Sequence, residues 1–283
     1  MIKTPPDYFY HYTSVESAFY ILGGDSPKSD KLILRLSSPE AMNDSKELKM
    51  FYERLEKLKA TISIKRFIRK IANEVEDEFL FHVLSFTEEP DKLSQWSMYG
   101  DNGKGVALGF SRELLELDMK NALMHSDNKF SSKLAKCIYN EDEQNNVLKE
   151  IVNEANIHRV QTNEFSINRT YYSLKYSIAI ALITFKCPSF KEESEHRLIR
   201  LIRKKKNNSQ LRLSKINGLK FKPTNRVIST FTEFRFSPNS LTHFNLGPRC
   251  KIHDESLDLR YFLLSSGVKV DDISIKSSSS SYR

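Results

Sequence analysis

Apolar positions along the chain switch between a two-residue and a helical period, and each switch marks an element. Tyr8 to Thr13 is an aromatic run with the residue types of a short strand. Ser14 follows as an N-cap, Val15, Ala18, Phe19 and Leu22 fall at helical spacing, and Gly23-Gly24 supply the stop. Leu32 to Leu36 reads as a second strand, closed by Ser37-Ser38-Pro39. The charged, amphipathic stretch from Lys46 to Glu78 predicts one or two helices. Phe81 to Phe86 and Gly105 to Phe110 return to strand character. Glu141 to Val160 and Tyr171 to Phe185 have the length of helices, and the second is apolar on most sides, which makes it central. Val227 to Phe236, Leu241 to Leu246 and Asp272 to Lys276 read as strands, with a helix from about Glu255 to Ser265. This irregular order predicts an α+β fold with a mixed or antiparallel sheet core and helical insertions, not a repeating βαβ sheet. The expected organisation is a single domain over residues 1–283, with a helical insertion near 46–78 and a helical region near 141–185. Ser277 to Ser281 is low-complexity and by itself predicts a flexible tail.

Composition narrows the class. Hydrophobic residues make up 39% of the 283, including 18 Phe and 12 Tyr, against 28% charged residues, so most of the chain has the material for a packed core and intrinsic disorder is excluded for its bulk. The longest apolar stretch, Ile178 to Ile183, is far short of the ~20 residues that cross a bilayer, and Met1 to Pro6 lacks a signal-peptide apolar region. A cytoplasmic protein without a membrane partner is expected. Cys137, Cys187 and Cys250 are far apart with no CxxC pair, and read as buried or incidental thiols with no metal site. The net charge of +8 favours a polyanion only if it is concentrated on one surface. From Arg197 to Lys206 six residues in ten are basic, and Arg203, Lys204, Lys205 and Lys206 are the candidate phosphate contacts. A solvated strand end and loop explains the same run, and no recognised nucleic-acid module accompanies it.

The chain holds no P-loop, GxGxxG, HExxH or GxSxG, which removes kinases, Rossmann dehydrogenases, zincins and α/β-hydrolases from the leading candidates. His11, in a strand between two tyrosines, offers one well-directed hydrogen bond and a pKa near neutrality, although a lone strand histidine is commonly structural. Asn43, Asp44 and Glu47 suit the start of a helix, with Asp44 or Asn43 as N-cap. Trp96 and Tyr99 stand at helical spacing before the glycine-rich Gly100 to Gly105 loop, where they are either core or a wall for a flat ring. Glu193 and Glu195 are the strongest local signal. In a strand from Glu193 to Ile199 the residues Glu193, Glu195 and Arg197 share a face, and paired carboxylates suit a cationic, sugar-centred transition state. The competing pattern is a helix with Arg197, Arg200 and Arg203 as one basic stripe, which separates the two glutamates.

Eight ordered blocks then bear on identity: His11-Tyr12-Thr13, Met42-Asn43-Asp44-x-x-Glu47, Ser85-Phe86-Thr87, Trp96-x-x-Tyr99, Gly105 to Phe110, Glu193-x-Glu195-x-Arg197, Gly247 to Cys250 and Ser281-Tyr282-Arg283. Together they resemble a bacterial family catalogued as domain of unknown function twenty-nine seventy-one. That family is distantly similar to the ADP-ribosyltransferase fold, whose enzymes use a first-strand His, a middle aromatic and a late Glu. The resemblance implies an ADP-ribosyltransferase-like fold with NAD as substrate. Catalytic roles would fall to Glu195, Glu193 and His11, and cofactor contacts to His11, Tyr12, Thr13, Asn43, Trp96, Tyr99 and Arg197. It also gives Asn43 to Glu47 more weight as a site element and draws the Ser-rich end into the fold. The implied function is an NAD-dependent ADP-ribosyltransferase or NAD glycohydrolase acting as a bacterial toxin or phage-defence effector, with nucleic acid or protein as acceptor. The alternative is a non-catalytic or nucleic-acid-binding sensor or interaction module of a defence system.

Overall fold

The structure is a computed structural model, and it describes residues 7–24, 31–39, 48–124, 131–204, 218–223 and 228–281. Asn43, Asp44, Glu47, Lys205 and Lys206 lie outside the described residues. The elements in order are β1 (Tyr8–Thr13), α1 (Val15–Ile21), β2 (Leu32–Ser37), α2 (Lys49–Lys57), α3 (Ile62–Glu78), β3 (Phe79–Thr87), α4 (Leu93–Met98), β4 (Val106–Ser111), α5 (Arg112–Met124), β5 (Ser131–Lys136), α6 (Glu141–Val160), α7 (Glu164–Thr184), β6 (Glu195–Arg203), β7 (Lys220–Pro223), β8 (Ile228–Phe236), β9 (Leu241–Leu246), α8 (Leu257–Ser265) and β10 (Ser274–Ser277).

The strands form one largely antiparallel sheet in the order β10-β9-β4-β1-β3-β2-β8-β7, from which β6 and then β5 branch at β3. Among the described strand pairs only β10 on β9 is parallel, besides an isolated parallel bridge between Ile138 and Phe185. The branch strands β3 and β6 run antiparallel over their full lengths, from Phe79↔Arg203 to Thr87↔Glu195. Their alternate residues feed two cores. Leu84, Phe86 and Leu198 join β1, β2, β4, β8 and β9 residues on one face, while Phe81, Val83, Ile199 and Leu201 join the apolar stripes of α2, α3, α6 and α7 on the other. Burial on both faces explains why β3 reads as a nearly continuous apolar run rather than a strict alternation.

Of the one or two helices expected over 46–78 there are two, because Thr61 accepts the Ile64 amide and starts α3 afresh as its N-cap. Other expectations are corrected. The strand expected from Glu193 starts two residues later. Pro188 to Glu193 form a 3-10 turn and Ser194 is left-handed at φ 45, so Glu193 precedes the strand. The basic-stripe helix is also overturned: Arg197, Arg200 and Arg203 lie on β6. The serine-rich end is no free tail up to Ser280, since Ser278, Ser279 and Ser280 all bond to Asp91. β5 and β7 were not legible, being short polar edge strands, and α5 was likewise missed. No described helix is long and apolar enough to cross a membrane.

Ser14 caps α1 as its spacing suggested, accepting the Ser17 amide at 3.1 Å. Ser14→Ala is expected to cost about 1 kcal/mol of stability in a denaturant titration, the ordinary value of an N-cap hydroxyl. An unchanged midpoint would show that packing alone holds the helix.

Candidate functional site

One edge of β3 is fully taken by β6, but the other is shared by two strands that meet it at separate points. β1 touches at Tyr10↔Thr87 and β2 at Ser37↔Val83. Between those points the sheet opens into a cleft of about 360 Å³, within the range of small-molecule sites. Its lining includes His11 and Thr13 from β1, α1, Arg35 and Ser37 from β2, Ser85 on β3, Tyr99 and Lys222.

His11 occupies the fork. Its Nδ1 lies 3.0 Å from the Ser85 carbonyl oxygen, which only accepts, so Nδ1–H donates and satisfies an edge group that no strand reaches. Burial lowers the His11 pKa, against the opposing pull of the Ser85 bond, so the ring is neutral and Nε2 carries a lone pair. Nε2 makes no hydrogen bond among the described residues.

Behind Ser85 lies a buried charge cluster. Glu195 receives Arg197 on both oxygens, at 2.8 and 3.2 Å, with Lys186 Nζ at 2.7 Å and Ser85 Oγ at 2.5 Å. Lys186 also donates to Glu193 at 2.5 Å, and the Tyr99 hydroxyl donates to the other oxygen of Glu193 at 2.9 Å. Two carboxylates thus face two cations, and Arg197 is 1% exposed. Burial pushes the Glu195 carboxyl up, but Arg197 and Lys186 outweigh it and hold the pKa at about 2. For Lys186, burial opposes the charge and the two glutamates raise the pKa. Burial and the neighbouring Glu193 raise the Tyr99 phenol, which stays protonated as a donor. Cys137 completes the shell, its Sγ 3.5 Å from Glu195, and burial raises its pKa well above that of a reactive thiol.

The sequence candidates divide between these two places. His11, Thr13 and Tyr99 line the cleft, whereas Glu193, Glu195 and Arg197 sit in the cluster and meet the cleft through Tyr99 and Ser85. Tyr12 and Trp96 face away from it. They pack at 4.6 Å in an edge-to-face pair, with the Tyr12 hydroxyl on the Glu89 carbonyl and the Trp96 indole N–H on Asp91. Arg203 pairs with Glu78 at 2.7 Å, and Lys204 Nζ donates to the Glu76 carbonyl. Within the same basic run Arg197 and Arg200 are buried, so the outer surface carries less of its charge than the sequence count suggests. Lys186, Ser85, Arg35 and Lys222 were not picked out as site residues. Lys186 had a usable signal, a single cation ending the apolar run Ile178 to Phe185, which must find a counter-charge once buried.

Among the described residues no group of three or more His, Cys, Asp or Glu side chains is arranged to hold a metal ion. No curated protein and no solved structure matches the chain. The cluster's two carboxylates and two cations, together with Tyr99, all fall in one stretch, residues 95–198, and that stretch matches the model of the family described as Protein of unknown function (DUF2971).

Proposed function

We propose that the protein is an NAD-dependent ADP-ribosyltransferase-like effector whose dinucleotide site is the cleft between β1 and β2. The observation that carries this reading is the fork itself. It aims the His11 Nε2 lone pair into the same cleft as Ser85 and Tyr99, two hydroxyl groups that each donate to a buried carboxylate. A hydroxyl donating away from the cleft turns its oxygen lone pairs toward it, so the cleft wall is electronegative there without exposing a carboxylate. Such a wall suits the positive charge that develops on a ribose as its bond to nicotinamide breaks. In this reading His11 accepts a ribose hydroxyl, the Tyr99 ring walls the nicotinamide, and Glu193 and Glu195 act through Tyr99 and Ser85.

Nicotinamide release from NAD, with and without protein or nucleic-acid acceptors, tests the reading. The wild-type protein is expected to release nicotinamide, and His11→Ala to slow it about a hundredfold by loosening the ribose. No release above a protein-free blank with any acceptor, or His11→Ala working at the parent rate, would overturn it.

A further inference from the structure

The far end of the cleft has a different chemistry. Arg35 reaches it from β2 and Lys222 from β7, on either side of β8, and among the described residues no Asp or Glu lines the cleft; Glu233, cross-strand from Arg35, is paired with Lys220. Lys222 Nζ is held toward the cleft by the Ser37 hydroxyl at 2.9 Å. The Arg35 guanidinium lies over the Phe231 ring, 5.2 Å from its centroid, and the exposed side chain lines the cleft. Neither cation pairs with a carboxylate among the described residues. Burial first, and then the nearby Arg35 charge, lowers the Lys222 pKa. A cleft whose described lining gathers two cations and a serine hydroxyl is complementary to a compact dianion.

We propose that Arg35, Ser37 and Lys222 form an anion subsite that takes the diphosphate group of the ligand. The ligand's identity as a dinucleotide rests on the function proposed above, whereas the anion chemistry does not. The His11 and Tyr99 end then receives the uncharged sugar and base, so one cleft sorts a diphosphate-linked ligand by charge along its length. Arg35 presents a planar fork suited to two phosphate oxygens, and Lys222 a point charge steered by Ser37.

Calorimetric titration with inorganic pyrophosphate and with ADP-ribose, at fixed ionic strength, tests this. Both are expected to bind the wild-type protein, more weakly as salt is added. Arg35→Gln and Lys222→Gln should each weaken both about tenfold to a hundredfold, the scale of one lost charged hydrogen bond. Lys222→Arg should recover part of the loss, and Lys120→Gln, an exposed cation outside the cleft, should change nothing. Arg35 is exposed and Lys222 half-buried, so these variants are expected to fold. Failure of the wild-type protein to bind pyrophosphate, or binding by both Gln variants as tight as the wild-type protein's, overturns the subsite. A duplex oligonucleotide displacing pyrophosphate at lower concentration than ADP-ribose does would also overturn it, by making the cations part of a nucleic-acid surface. Nicotinamide release is read separately. Pyrophosphate binding that needs Arg35 and Lys222 in a protein that releases no nicotinamide keeps the subsite and removes the transferase, and release with unaltered pyrophosphate binding in both Gln variants does the reverse.

Discussion

Glu195→Gln is expected to lower the unfolding free energy by about 3 to 5 kcal/mol, the cost of breaking a buried ion pair and leaving its partners uncompensated. Glutamine keeps the shape and one acceptor but removes the charge that Arg197 and Lys186 share. Only Glu193 then remains against two buried cations, and the amide group presents N–H donors to donors. Lys186→Met in the same background removes one excess cation, so the double variant should regain part of the loss in a double-mutant cycle. The acid limb gives an independent reading. The Glu195 carboxyl is held at about 2 against an unperturbed 4.5. A depressed folded-state pKa stabilises fully above 4.5 and is lost as pH falls from there through about 2. The wild-type protein should therefore lose stability across that window, by on the order of 3 kcal/mol from this group, and Glu195→Gln should be flatter over the same pH range. Chemical denaturation at several pH values measures both. A Glu195→Gln protein as stable as the parent at neutral pH would show that the cations are not held by this carboxylate.

The consequence for function is that stability and activity must be separated at Glu195. Sequence reasoning places it as the group facing a ribosyl cation, and the structure places it one hydroxyl behind the cleft wall, on Ser85. His11→Ala is therefore the cleaner probe of the cleft, because His11 supports only one backbone carbonyl.

What the sequence made legible follows from how local each cause is. β1, α1, β2, α6 and β9 were readable because aromatic or branched runs, an N-cap serine, and helical spacing or length are properties of the segment itself. β5, Ser-Ser-Lys-Leu-Ala-Lys, was not, since its strand state depends on pairing with β6 and not on its own residues. The cluster was half legible. Glu193, Glu195 and Arg197 stood out as charges close in sequence, but their burial and the approach of Lys186 follow from tertiary packing of α7 against the sheet. The reason offered for pairing the two glutamates was also different from the one found. They converge because Lys186 bridges them across the Ser194 turn, not because they alternate on one strand face. Arg35 and Lys222, 187 residues apart by number, carried no sequence signal, as only the β2-β8-β7 order brings them together.

Asp91→Ala is expected to release the serine-rich end and to lower stability by about 3 kcal/mol. Asp91 accepts the Trp96 indole N–H at 2.6 Å and the Ser278 hydroxyl at 2.5 Å, the Ser279 amide at 2.8 Å and hydroxyl at 2.9 Å, and the Ser280 hydroxyl at 3.3 Å. The serine groups are partly exposed and re-solvate when the carboxylate goes, so they account for a minor share. The larger share comes from Trp96, which is 0% exposed and would be left with a buried, unpaired donor, at about 1 to 3 kcal/mol. Because Trp96 is the chain's single tryptophan, its emission reports the clasp directly: a red shift in Asp91→Ala under native conditions marks water reaching the indole. Hydrogen exchange at the Ser279 amide should accelerate in parallel, since its acceptor is gone. The pH sign is fixed by the same contacts. Burial would raise the Asp91 carboxyl, but the bonds from Ser278, Trp96 and Ser279 hold it below its ordinary 3.8, so the clasp stabilises above 3.8 and is lost as acid protonates it. The wild-type emission should then shift red in acid along with Asp91 protonation, and the variant's should not move further. Unaltered emission and unaltered Ser279 exchange in a folded Asp91→Ala protein would show that the end of the chain is held by β10 pairing alone, through the Ser278 amide on the Leu246 carbonyl at 2.8 Å.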